Sequence, residues 1–119
     1  MFVALWEYEV KPGREERFEK VYGPKGDWAK LFRNDPNYRE TQLLRDAVRE
    51  RAYLTLDFWN SRRAYERFMK TRATDYKKLD AASEDLTLGE RRVGWFEAGV
   101  DRDERTGDQK SDKDLTLGG

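Results

Sequence analysis

Alternating apolar positions open the chain. In Phe2–Val10 (FVALWEYEV) the residues Phe2, Ala4, Trp6, Tyr8 and Val10 fall on one side of an extended strand, and Val3, Leu5, Glu7 and Glu9 on the other. The second side is apolar only at its start, as expected of a strand inside a sheet that is covered there on both faces. Lys11-Pro12-Gly13 breaks the strand, and the period then becomes helical. Over Arg14–Tyr22 the residues Phe18, Val21 and Tyr22 form one stripe, with Glu15 and Glu16 suited to a helix's first turn. Gly23-Pro24-Lys25-Gly26 interrupts, and Asp27 is placed to cap a second short helix in which Trp28, Leu31 and Phe32 repeat the spacing.

After the turn cluster Asn34-Asp35-Pro36-Asn37 come two strands, Tyr38–Arg45 and Ala52–Trp59, joined by a charged loop. In the second of them Leu54, Leu56 and Phe58 face one way, and Tyr53, Thr55, Asp57 and Trp59 the other. Asn60 or Ser61 caps a long helical stretch lined by Ala64, Tyr65, Phe68 and Met69. It continues, with a break near Thr71–Thr74, through Tyr76, Leu79, Ala82 and Leu86, and Arg91–Glu97 is a short last strand. The order β-α-β-β-α-β, with the first helix divided, predicts an α+β domain of the ferredoxin-like type. Its helices would cover one face of a four-stranded antiparallel sheet.

Composition sets the limits of that domain. Charged residues make up 40% of the 119, and they dominate the segment from Ala98 onward. With six acids, four bases and few apolar side chains, residues 98–119 cannot offset their ordering entropy and are expected to form a polar, disordered tail. The folding unit is therefore residues 1–97. The pentapeptide Asp85–Gly89 (DLTLG) recurs at Asp114–Gly118, either as a docking mimic or as coincidence.

The formal net charge is zero and no basic stripe is present, which argues against a nucleic-acid partner. The third strand, AYLTLDFW, also lacks the glycines of an RNA-recognition motif and carries an acid that would repel phosphate. The longest apolar run, Phe2–Trp6, is too short for a membrane span, and a cytoplasmic location is expected. Without cysteine or histidine the chain has no thiolate or imidazole chemistry. Nothing in the spacing of Asp57 with Glu7 or Glu97 recommends a carboxylate-only metal site, and the sequence has no phosphate-cradling loop or dinucleotide fingerprint, so no metal site and no cofactor are expected.

Helices on one sheet face leave the other to be explained. With Tyr53 and Trp59 assigned to that uncovered face, pairing of two sheets about a twofold axis predicts a homodimer. Asp57, between Leu56 and Phe58, is the candidate catalytic residue: a carboxylate in a partly apolar pocket has a raised pKa and can accept a proton from a phenol or enol. The alternative is an Asp paired with one of the many arginines. Tyr22, Trp28, Tyr53 and Trp59 are candidate substrate-binding walls for a flat small molecule, against plain packing. Trp6, Tyr8 and Trp95 read as core.

The run VALWEYEVKPGREERFEKVYGPKGDWAKLF resembles the opening of the antibiotic biosynthesis monooxygenase-like superfamily. The block YLTLDFWNSRRAYERFMKTRATDYKKLDA, with Trp59, Ser61, Tyr65 and Phe68, resembles that family's third strand and second helix. The resemblance implies a dimeric α/β barrel with a pocket between sheet and helices. It further implies either cofactor-independent oxidation of an aromatic or enolisable compound, or ligand binding without turnover. The haem-degrading branch of the family uses a histidine ligand that this chain lacks.

Overall fold

A computed structural model describes residues 1–100 of the chain. The polar segment read as disordered, apart from its first residues, and the second DLTLG copy lie outside them. Among the described residues nine elements of regular structure follow one another. They are β1 (Phe2–Val10), α1 (Glu15–Tyr22), α2 (Asp27–Phe32), β2 (Tyr38–Arg45), β3 (Ala52–Trp59), α3 (Arg62–Thr71), α4 (Ala73–Ser83), a 3-10 turn at Glu84–Leu86, and β4 (Thr87–Glu97). The sheet is antiparallel throughout in the order β2-β3-β1-β4, which is the expected ferredoxin-like arrangement.

The local signals act much as read. Ser61 caps α3, its hydroxyl accepting from the Ala64 N–H at 3.1 Å. The break in the long helical stretch falls at Arg72, which leaves helical geometry between α3 and α4. Asp27 does not cap α2: Gly26 holds the cap position and Asp27 is the first helical residue, where its charge still favours the helix N-terminus. Gly26 is required by space. A Cβ there would stand 2.2 Å from the Lys20 carbonyl oxygen and 2.4 Å from that of Val21, because the chain turns back across the end of α1.

The last strand begins at Thr87, four residues earlier than the sequence indicates. Thr87, Gly89 and Glu90 pair with Val10, Glu9 and Tyr8 across an irregularity in the ladder between Glu9 and Val10. An edge strand with one solvated side needs no continuous apolar pattern, so its polar half carried no strand signal.

One assignment is reversed. Tyr53 and Trp59 do not lie on the uncovered sheet face; they point beneath the helices and are 2% and 0% exposed. Trp59 meets Phe32, Tyr65 and Phe68 at centroid distances of 5.2–5.7 Å, and Tyr53 meets Phe18 at 4.8 Å. The two faces of β3 are about equally apolar, so ring size alone did not say which one the helices would choose. The uncovered face instead carries Val3, Leu5, Leu54, Leu56 and Phe58, with Leu44 and Phe96 46% and 47% exposed. Its other end is closed by ion pairs: Glu7 accepts from Arg91 at 2.7 Å and from Arg49 at 3.0 Å.

Gly26→Ala is expected to cost about 1–3 kcal/mol of stability, since the added methyl cannot be housed without moving backbone. A fall in the urea midpoint with unchanged slope checks this; an unshifted midpoint would contradict the steric reading of the turn.

Candidate functional site

Between sheet and helices lies a cavity of about 30 Å³. Its floor comes from alternate residues of three strands: Trp6 and Tyr8 of β1, Thr55 and Asp57 of β3, and Glu90 of β4. Its roof comes from Tyr22 of α1, Trp28 and Phe32 of α2, Tyr65 and Met69 of α3, and Tyr76 of α4. Each helix supplies these side chains from the same stripe that packs it onto the sheet, so the cavity is a gap in the core rather than a cleft added to it.

Asp57 is 9% exposed, and no arginine or lysine among the described residues forms an ion pair with it. The pairing with an arginine that the sequence left open is therefore not made within the described chain. Arg49 and Arg91 are held by Glu7 on the opposite sheet face, and Arg62 and Arg92 stack over the Trp95 ring at 4.3 and 4.7 Å. Asp57 Oδ1 instead accepts from the Thr41 hydroxyl at 2.7 Å. Burial pushes the Asp57 carboxyl up from its ordinary 3.8 to about 6, and the Thr41 hydrogen bond opposes only part of that rise.

The other titratable groups of the cavity behave differently. Burial holds the Tyr8, Tyr65 and Tyr76 phenols above their ordinary value, those of Tyr65 at about 12, with the Asp57 charge adding to each. Burial also pushes Tyr22 up to about 12. The Trp28 indole N–H is near enough to the Tyr22 hydroxyl to oppose that shift, yet it is buried without a partner in hydrogen-bonding geometry. These phenols therefore stay protonated at neutral pH, while Asp57 changes charge close to neutrality. At the exposed rim, burial and the Asp80 charge raise Glu90.

Of the residues singled out in the sequence, Asp57, Tyr22 and Trp28 meet in this cavity. Tyr53 and Trp59 do not line it. The Tyr53 hydroxyl donates to Glu19 at 2.5 Å away from the cavity, and Trp59 backs the Phe32 and Tyr65 rings. Trp6 and Tyr8, read as core, belong to its wall, together with Tyr65, Met69 and Tyr76. The shared side of Trp6 and Tyr8 was visible in β1, but its placement beside Asp57 depends on strand pairing. Thr41 was missed altogether; nothing in TQLLR marks one polar residue as the partner of a buried acid.

A four-stranded ferredoxin-like sheet roofed on one side, with an acid-bearing aromatic cavity between the layers, defines the class of the protein. The family model for antibiotic biosynthesis monooxygenases matches residues 1–76, and the chain belongs to that family. Among solved structures the chain is similar to SnoaB, a cofactor-independent oxygenase from Streptomyces nogalater. Two structures of it, at TM-scores of 0.68 and 0.65 and 20% identity, cover 87% of this chain and 97% of that one. A Caulobacter crescentus protein named for the same family is 26% identical at a TM-score of 0.65, covering 82% of this chain and 88% of its own. No curated protein matches the chain.

A carboxylate whose pKa is raised on folding binds its proton more tightly in the native state. Its contribution to stability is therefore most favourable below about pH 4, is lost as pH rises through about 6, and is level above that. The fall amounts to about 2–3 kcal/mol. Asp57→Asn, which keeps an acceptor for Thr41, should remove this part of the pH dependence and be the more stable protein at pH 8. Urea unfolding of both proteins at pH 4, 6 and 8 measures the difference; parallel curves would contradict an uncompensated buried acid.

Proposed function

We propose that this protein is a cofactor-independent oxygenase acting on a small aromatic or enolisable compound, with Asp57 as the base. The observation that carries this is a buried carboxylate with no ion-pair partner among the described residues, in an aromatic cavity whose phenols all stay protonated. Such a group accepts a proton from a phenol or enol O–H near neutral pH. The resulting enolate is electron-rich at carbon and forms a C–O bond with molecular oxygen. Protonation and loss of water from the peroxide leave a carbonyl where a C–H₂ stood, so that one O₂ is consumed and one H₂O released. Membership of the monooxygenase family and likeness in fold to an oxygenase named as cofactor-independent support the reading.

The cavity walls also indicate the charge of the ligand. Asp57, Asp80 and Glu90 contribute carboxylates and no lysine or arginine among the described residues lines the cavity, so an uncharged ligand is favoured over an anion. At about 30 Å³ the cavity has room for a water but not for a ring, so a substrate must displace wall side chains. Met69, half-buried and unbranched, is the most adaptable of them. The same closure favours a second reading, a ligand-binding protein without turnover. Oxygen uptake with a panel of hydroxyaromatics separates the two. Turnover that falls at least 100-fold in Asp57→Asn is expected; binding without oxygen consumption would favour the second reading.

The uncovered sheet face supports a homodimer in which two copies bury Leu5, Leu54, Leu56 and Phe58 against each other. Leu56→Asp is expected to convert a dimer to a monomer in native mass spectrometry at micromolar concentration. A dimer that survives the substitution would move the interface elsewhere.

A further inference from the structure

Tyr38 and Thr41 are three residues apart, an odd spacing that would put them on opposite faces of a regular strand. They are nevertheless on the same face. The ladder between β2 and β3 slips between Tyr38 and Glu40, so that Tyr38 faces Trp59, Glu40 faces Phe58 and Thr41 faces Asp57. Arg39 is the extra residue of a bulge, and bulges of this kind re-aim a side chain at the cost of a ladder position. Here the result is a buried row of hydroxyls. The Tyr38 hydroxyl lies 2.7 Å from Thr41 Oγ1, which lies 2.7 Å from Asp57 Oδ1. Thr41 is 3% exposed and sits outside the cavity wall.

The direction of these bonds follows from proton counting. An ionised carboxylate only accepts, so Thr41 must spend its single proton on Asp57. Its oxygen is then free to accept, and Tyr38 must be the donor to it. Oδ1 is thereby occupied, while Oδ2 has no hydrogen-bond partner among the described residues and belongs to a side chain that lines the cavity. Charge-assisted bonds of this kind favour the ionised acid, and a hydroxyl that itself receives a bond is the stronger donor.

We propose that Thr41 and Tyr38 are positioning residues for Asp57: the bulge in β2 aims them so that they fix one carboxylate oxygen, keep the acid ionised in its buried place, and leave the other oxygen to meet the substrate. The proposal rests on the reading of Asp57 as the base. The remaining titratable groups around Asp57 are Tyr8 of β1, Tyr65 of α3 and Tyr76 of α4, with Tyr22 of α1 elsewhere in the wall and Asp80 and Glu90 at the rim. None of them supplies a positive charge that could take over the task.

The test is a carbon-13 NMR titration of the Asp57 carboxyl in the wild type and three variants, which needs no substrate. Thr41→Val keeps the shape and removes the donor; it should move the Asp57 midpoint to higher pH by about one unit, a tenfold change in proton affinity. Thr41→Ser should restore the wild-type midpoint. Tyr38→Phe leaves Thr41 in place and should produce a smaller shift in the same direction, which keeps the question open to measurement even if the valine variant folds poorly. If the midpoint stays within about 0.2 units in both Thr41→Val and Tyr38→Phe, as a merely packed hydroxyl pair would have it, the proposal fails while the base role of Asp57 stands or falls separately on the turnover of Asp57→Asn. A shifted midpoint together with full turnover in Asp57→Asn would remove the base reading, and with it the catalytic sense of the pair.

Discussion

The pairing of β1 with β3 is the constraint on which the rest of the structure depends. It sets Phe2 opposite Trp59, Ala4 opposite Asp57, Trp6 opposite Thr55 and Tyr8 opposite Tyr53. On the covered face of these two strands the rings of Phe2, Trp59, Tyr8 and Tyr53 therefore stand at the two ends, and between them Trp6 stands beside the short side chains Ala4, Thr55 and Asp57. Helices resting on the rings do not close fully over Thr55 and Asp57, and the cavity forms above those two. A slip of one residue would turn Asp57 to the uncovered face and bring Leu56 and Phe58 under the helices. Fold and site are thus consequences of one register.

The elements of this fold were legible because their signals are local. Strand alternation, the glycine-proline breaks and the Ser61 cap each act within a few residues, and all four strands and the divided helices were read from them. What was not legible depends on partners distant in sequence. The choice of covered face for β3 was misread, since Leu54, Leu56 and Phe58 rival Tyr53 and Trp59 in apolar character. Within the site, Asp57, Tyr22 and Trp28 were singled out by residue type and meet in the cavity, whereas Tyr53 and Trp59 were equally suitable by type and face other neighbours. Aromatic side chains in a core this rich in rings carry no label that separates wall from packing.

The distribution of charge follows a consistent division. Arginines are abundant, yet Arg49 and Arg91 are committed to Glu7 on the uncovered face, Arg62 and Arg92 to the Trp95 ring, Arg45 to Glu19 and Arg51 to Glu50. Asp57, on the covered face, is thus left without an ion-pair partner among the described residues. A buried ion pair there would have lowered the pKa of Asp57 and left a carboxylate too weakly basic to take a proton from a phenol. An apolar residue would have packed at less cost. An acid held at this position therefore makes more sense as chemistry than as structure, which is the usual pattern when a buried group is kept against stability.

Burial raises the proton affinity of Asp57, and the Thr41 hydrogen bond opposes part of that rise. A carboxyl sealed among aromatic rings with nothing to stabilise its charge becomes a neutral acid, and a neutral acid is no base. Raising proton affinity enough to abstract, but not so far as to stay protonated, requires a donor that is polar without being charged. Thr41 meets that requirement, and it reaches Asp57 because the edge strand carries one extra residue between Tyr38 and Glu40. An edge strand tolerates such a bulge where a central strand, paired on both sides, would lose bonds in two ladders. The position of β2 at the margin of the sheet is therefore what allows the proposed base, Asp57, to receive an uncharged donor at the sheet's centre.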